Sequence, residues 1–340
     1  MKLKYLYSRR EIETEVFYDI VFEWEDILKQ ELFLKSRYYD DNMSDLGGGK
    51  MLRISIIRKL IRRSELLKRI FSLKAIGLKF DMSPVTKARY NSEYIVPWII
   101  DFFWEEGRFK EFNDAYKEHP LVLISSKEVY DKLKANSEIV RDVNYKHMAL
   151  SISDEYKIDK DTKYAKEYDV VLMGRTNPVL ENYFYQYAAE HPELKYAYRK
   201  IEGDDFNYYA VENGKERLIG AINSREQYID LMRKTRIGLY CTPDIDTDHE
   251  RAHGYNQVTP RFLEWISSGA HVIARYVPNP DTDYYKLQDF SEPIETYEQF
   301  EKAMDYAMTH EVDMEKYANY LSQHYTSVRA AQIKEILKEQ

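Results

Sequence analysis

The sequence predicts an α/β protein made of two Rossmann-like halves. Three observations carry that expectation. Short apolar, β-branched runs alternate with helical stretches, as where LVLISS at 121–126 precedes a helix over 127–135 and DVVLM at 169–173 precedes one over 178–191. The polar run DEYKIDKDTKYAKEY at 154–168 has little apolar periodicity and reads as a boundary. A chain of 340 residues is long enough to bury two cores. The expected division is a first domain over 1–153, a second over 154–315 and a C-terminal helix over 316–340.

In the first half, LKYLYS at 3–8 reads as a strand, and 11–31 as a helix with Val16, Phe17, Ile20, Val21 and Trp24 toward the core. The polar stretch 36–49 ends in Gly47, Gly48 and Gly49. It has neither the strand-before, helix-after spacing of a dinucleotide fingerprint nor a P-loop Lys-Ser/Thr, so a flexible loop or part of a cleft is expected. Residues 50–80 hold ten basic side chains against Glu65, a local +9 in a chain of net −8. Apolar residues recur through them at helical spacing, which predicts a basic amphipathic helix suited to an anionic membrane surface; a solvated helix with its apolar face in the core fits the same pattern. No nucleic-acid motif accompanies it.

YIVPWII at 94–100 reads as a buried strand that Pro97 makes an edge or an interrupted one. Asp101 lies at its carboxyl end, where ligands of open parallel sheets collect, and is the first-domain candidate site residue; a cap or turn is the alternative role. HMALSIS at 147–153 reads as the last strand before the linker.

In the second half, Gly174, Arg175, Thr176 and Asn177 form the turn after the first strand. A glycine there lets a ligand approach the backbone, and the planar fork of Arg175 suits a diphosphate. Strand 194–199 and a variable stretch over 200–218 follow. Asn223 or Ser224 caps the next helix, with Gln227 as a partial capping box. After strand 237–241 comes an acidic loop with Asp244, Asp246, Asp248 and His249. Asp244, Asp246 and Asp248 complete no EF-hand loop, and a solvated loop without metal is expected. Thr259 then suits an N-cap and Pro260 the first helical position. The helix FLEWISS stops at Gly269, and HVIARY is a strand. The N-terminus of that helix attracts phosphate, and Glu264 inside it can accept hydrogen bonds from ribose hydroxyls.

Composition bounds the setting. Cys241 is the only cysteine, so no internal disulfide forms, in keeping with a reducing cytoplasm. The N-terminus turns charged too early for a signal peptide, and the apolar stretch 94–104 is too short to span a bilayer. No nucleophile elbow, CxxC pair or strand-linked GxGxxG is present, which argues against serine hydrolases and classical dehydrogenases.

On LEWISSGAHVIA, and on Asn256, Arg261, Phe262 and Glu264, the chain resembles the GT-B nucleotide-sugar glycosyltransferases of the group 1 type, including their CgeB-like branch. Members often carry two glutamates at this signature; Glu264 matches the second, and Asn256 stands at the first. The resemblance implies two Rossmann-like domains facing a cleft, the C-terminal helix returning to the first. It implies transfer of a sugar from a nucleotide diphosphate to a glycan or lipid-linked acceptor in surface polysaccharide synthesis, with retention and without metal. No cofactor is implied beyond the nucleotide-sugar co-substrate. The helix starting at Thr259 and Arg175 would stabilise the leaving diphosphate, and Glu264 would hold the ribose. Asn256 and Gln257 would border the sugar, the turn at Asn223 would meet the base, and Asp101 would face the donor sugar. Two other readings stand beside it: a non-catalytic nucleotide-sugar binder, and a membrane-surface scaffold using only 50–80. The expected setting is the cytoplasm, with 50–80 holding the chain on the inner face of the cell membrane in the glycosyltransferase and scaffold readings.

Overall fold

The structure, a computed structural model, describes residues 1–10, 13, 18–38, 64, 76–87, 92–174, 176–202, 205–243, 245, 246 and 252–339. The chain divides into two compact units, Met1–Asp154 with Thr326–Gln340, and Glu155–Tyr325. Each is built on a mostly or wholly parallel sheet with helical crossovers, so both are Rossmann-like.

The first unit contains β1 (Tyr5–Ser8), α1 (Asp19–Glu31), β2 (Lys35–Tyr38), β3 (Gly77–Asp81), β4 (Ile95–Ile99), α2 (Phe109–Tyr116), β5 (Val122–Ile124), α3 (Lys127–Ala135) and β6 (Tyr145–His147). The strands run parallel in the order β2-β1-β3-β4-β5-β6. β3 and β4 are buried along their whole length; the sequence of β4 is wholly apolar, whereas β3 buries two charged side chains, Lys79 and Asp81. Trp24, Phe80 and Trp98 stack beneath the sheet with ring centroids 5.0 to 6.5 Å apart, and the Trp24 indole donates to the Ser151 carbonyl at 3.1 Å. The last helix, labelled α10 below, belongs to this unit. Its Ala330 and Ile333 enter the core, and buried Arg329 donates to the carbonyls of Ala149 at 2.9 Å and Leu150 at 3.3 Å.

Three local expectations change here. β4 is an interior strand, flanked by β3 and β5. Pro97 is tolerated because the ladder with β5 starts at Trp98, so the missing N–H falls outside it. β6 ends at His147, and residues 148–153 instead serve as a buried strap whose carbonyls receive Trp24, Arg329 and Thr326. In the basic stretch, residues 77–80 are β-strand, and Lys79 is buried against Asp81 at 2.6 Å. The triple glycine and most of residues 50–80 lie outside the described residues. Among the described residues no helix is long and apolar enough to cross a membrane.

The second unit contains β7 (Tyr168–Val171), α4 (Pro178–Glu190), β8 (Tyr196–Glu202), β9 (Asp205–Glu212), β10 (Lys215–Ala221), α5 (Arg225–Arg233), β11 (Thr235–Cys241), α6 (Pro260–Ser267), β12 (His271–Arg275), α7 (Pro280–Tyr284), α8 (Tyr297–Thr309) and α9 (Met314–Leu321); α10 (Thr326–Lys338) follows in the first unit. The strand order is β10-β9-β8-β7-β11-β12. β8, β7, β11 and β12 are parallel, and β9 and β10 extend the sheet as an antiparallel meander. The stretch 200–218, read from sequence as variable, is this meander. Asn213 and Gly214, both at positive φ (51° and 69°), make its tight turn.

α6 lies unusually close to the sheet. A Cβ on Gly238 of β11 would sit 2.2 Å from the Trp265 ring, so only glycine lets the indole rest on the strand.

Candidate functional site

The site follows from the strand order of the second unit. β7 has β8 on one side and β11 on the other, so the direction of winding reverses there, and the carboxyl ends of these two strands are where ligands of open α/β sheets collect. Buried Leu172 and Met173 carry β7 into Gly174, which has φ +64°. A Cβ on Gly174 would lie 2.5 Å from a terminal nitrogen of Arg261. Glycine therefore meets two needs at once, the left-handed backbone and the close approach of a guanidinium. The Gly174 N–H donates to the Tyr208 hydroxyl at 3.4 Å.

Beyond the turn, Asn177 caps α4, accepting from the N–H groups of Val179 and Leu180 at 3.0 Å each. Its amide donates to Ile245 O and Asp246 Oδ2, both at 2.9 Å. Asp246 is also paired with Arg275, which holds its carboxyl below the usual carboxylate range. The acidic loop is thus tied down at Asp246, whereas Asp244, Asp248 and His249 lie outside the described residues. Among the described residues no group of three or more His, Cys, Asp or Glu gathers as a metal site. The Thr176 hydroxyl donates to Glu181 Oε2 at 2.6 Å and so turns toward α4. Arg175 lies outside the described residues.

Thr259 occupies the N-cap position of α6 with extended backbone (φ −92°, ψ 158°), but its side chain makes no capping bond. This corrects the sequence expectation, and the cause is Tyr240. The phenol of this buried β11 residue accepts from the Thr259 N–H at 3.0 Å and lies 3.4 Å from its hydroxyl. Pro260 does stand at the first helical position.

α6 then presents Arg261 and Glu264 to Arg225 and Tyr228 of α5, two pairs at i, i+3 on facing helices. Arg225 bridges to Glu264 Oε1 at 2.5 Å, with side chains only 14% and 4% exposed. Glu264 Oε2 accepts no hydrogen bond among the described residues. The Tyr228 phenol and the Glu264 carboxylate hold the Arg261 charge, raising its pKa further, and burial raises that of Tyr228. Two guanidinium groups thus gather beside one carboxylate at the Gly174 turn.

Asn256 is fixed by its neighbours. Its Oδ1 accepts from the Thr242 hydroxyl at 2.9 Å, its amide donates to Gly254 O at 3.0 Å, and its carbonyl accepts from Asn279 at 3.1 Å. Gln257 is buried. Asn223 is exposed and donates its N–H to Gln227 Oε1 at 2.9 Å, while Ser224 caps α5.

The structure therefore joins Gly174, Arg261 and Glu264 in one constellation. Thr259 is linked to the end of β11 through Tyr240, and Asn256 through Thr242. Thr176 and Asn223 are held by local contacts instead. Asp101 lies in the first unit past β4, with its N–H on Met82 O at 2.8 Å. Sequence reasoning missed Arg225 and Tyr228. Their spacing marks a helix face, and nothing in the sequence says that this face meets α6.

No family model matches the chain, and no curated protein matches its sequence. Similar solved structures include a GtfA/B complex, at 12% identity and a TM-score of 0.43 over 81% of this chain and 55% of that one. The pneumococcal O-GlcNAc transferase GtfA with UDP and GlcNAc gives 11% identity and 0.44, over 86% and 60%. A candidate UDP-N-acetylglucosamine 2-epimerase from Listeria monocytogenes gives 10% and 0.46, over 99% and 96%. The chain spans only 55% and 60% of the first two proteins' length.

Proposed function

We propose that the protein is a GT-B glycosyltransferase whose second unit binds a nucleoside diphosphate sugar and whose acceptor is a glycan or lipid-linked sugar. The observation that supports this reading is the convergence of Gly174, Arg225, Arg261 and Glu264 at the β7/β11 switch point. In this reading the diphosphate lies against the Gly174 turn and the start of α6. Arg261, together with Arg175, supplies forked donors to it. Arg225 holds one oxygen of Glu264, which leaves Oε2 for a ribose hydroxyl. Asn256 and Gln257 border the sugar, the Asn223 turn meets the base through its backbone, and Asp101 is the first-unit catalytic candidate assigned to the donor sugar. The arginines and the helix end would favour the transition state by neutralising charge that builds on the leaving diphosphate. Retention is the stereochemical expectation, and the basic stretch before β3 is the proposed attachment to an anionic membrane face.

The test is calorimetry with UDP, GDP and ADP against the matching nucleosides. Arg261→Ala should weaken the diphosphate that binds by roughly tenfold or more, the scale of a lost charge-assisted contact, and the nucleoside much less. Glu264→Ala should weaken both. A wild-type protein that binds none of the three diphosphates would end this reading.

A further inference from the structure

The first sheet has its own reversal of strand order, between β1 and β3. A cavity of about 260 Å³ opens at the carboxyl ends of these strands, walled by Tyr7, Tyr18, Phe22 and Phe80 and carrying Glu25 and Asp81. The cations around it already face carboxylates: Arg9 pairs with Glu13, Arg10 with Asp26 at 2.8 Å, and buried Lys79 with Asp81 at 2.6 Å. Glu25 is different. It is 4% exposed, and Oε2 accepts from the Ser8 hydroxyl at 2.6 Å. Among the described residues Oε1 accepts no hydrogen bond, and no cation lies within ion-pairing distance of the carboxylate. Burial pushes its carboxyl up to about 7, helped by Asp26 and opposed by Ser8, Arg10 and Lys29.

This chemistry selects a ligand class. An anion would face the carboxyls of Glu25 and Asp81, while Arg9, Arg10 and Lys79 each already pair with a carboxylate. A metal ion would find Glu25 and a lysine-paired Asp81 rather than a set of ligands. A neutral ligand with hydroxyl groups satisfies both surfaces: an O–H donates to Oε1, and C–H faces lie on the rings of Tyr18 and Phe22, which stack with centroids 6.1 Å apart. We propose that the cavity at the ends of β1 and β3 binds a neutral sugar, with Glu25 accepting a hydrogen bond from one of its hydroxyls. Naming that sugar as part of the acceptor rests on the glycosyltransferase reading; the binding site itself does not.

The experiment uses the full chain and the methyl glycosides of glucose, galactose, mannose and N-acetylglucosamine, followed by saturation-transfer NMR, with glucose 6-phosphate as the anionic comparison. At least one neutral glycoside should bind. Glu25→Gln, which keeps the side-chain shape and relieves a buried charge, should weaken it about tenfold, and Tyr18→Ala should weaken it as well. UDP, GDP and ADP titrated into the same samples should behave as in the wild type. The proposal is overturned if no glycoside binds, if Glu25→Gln and Glu25→Ala both leave affinity unchanged, or if glucose 6-phosphate binds more tightly than the neutral sugars. Glu25-dependent sugar binding without nucleotide binding would sink the glycosyltransferase reading alone, and the reverse pattern would sink only this site.

Discussion

Single side chains show best what a sequence hides. Glu264 was legible as a candidate from its place in a helix after a Thr-Pro start, and what the fold adds is its neighbours. Its partner Arg225 lies 39 positions earlier and was not legible, because that pairing exists only once α5 and α6 pack. Glu25 was equally silent: it reads as one more polar position of an amphipathic helix until the fold buries it. Burial has a measurable consequence in the first unit. The Glu25 carboxyl rises from 4.5 to about 7, so the folded state holds a proton that the unfolded chain has lost. The associated stability is complete below about pH 4.5 and lost as pH climbs to about 7, a matter of about 3 kcal/mol. His147 acts in the opposite sense. Burial, aided by Lys127 and Arg329 and opposed by the Ser125 carbonyl and Asp131, lowers its pKa from 6.5 to about 4. Its contribution is present above about pH 6.5 and lost as pH falls to about 4; partial contact with water makes it the smaller of the two. The two slopes oppose each other between pH 4.5 and 6.5. In Glu25→Gln only the histidine slope remains, so urea midpoints of the variant should fall on acidification through this window more steeply than those of the wild type. Parallel profiles would show that Glu25 titrates normally.

At the level of elements, the alternation of apolar runs and helices was readable, and α3, α4, α6 and β12 fall close to where periodicity and capping residues put them. The β8–β9–β10 meander was not read. Its outer strand opens with three charged residues, Lys215, Glu216 and Arg217, which blurs the two-residue period, although Asn213-Gly214 carried a hairpin signal. Pro97 misled for a different reason: the rule against interior proline concerns the ladder, and this ladder begins one residue later. The Gly238–Trp265 contact sets how near α6 comes to β11. Gly238→Ala should lift α6 off the sheet, cost about 1–3 kcal/mol, and weaken diphosphate binding although the residue touches no ligand. Thermal unfolding read beside nucleotide titration checks this; a destabilised variant with unchanged nucleotide affinity would mean that Arg261 and Glu264 do not depend on the helix position.

Across the whole molecule, the first unit is discontinuous. Its core combines residues up to Asp154 with Ala330 and Ile333, and the N-terminal ammonium of Met1 donates to the Leu337 carbonyl at 2.9 Å. The polar composition of 154–168 made one break in the chain legible. The way back after Tyr325 has no such mark, since α10 is an ordinary short helix whose destination depends on where Trp24 and the 149–151 carbonyls lie. A chain cut after Tyr325 should leave the first unit open to protease and without a cooperative transition, while the second keeps its nucleotide affinity. Retention of a folded first unit would show that α10 is dispensable.

The same return sets an order of events at the ribosome. Residues 1–154 emerge first, yet the helix that completes their core is translated only after all of 155–325. The second unit can close while the first still waits with Trp24 and Leu28 uncovered, reversing the usual N-to-C sequence of domain folding. The exposed interval lasts at least the 171 residues of Glu155–Tyr325, roughly 10–35 s at about 5–20 residues per second. A nascent chain of this kind is a natural client for holding chaperones, and a premature stop late in the message would release the half that cannot fold.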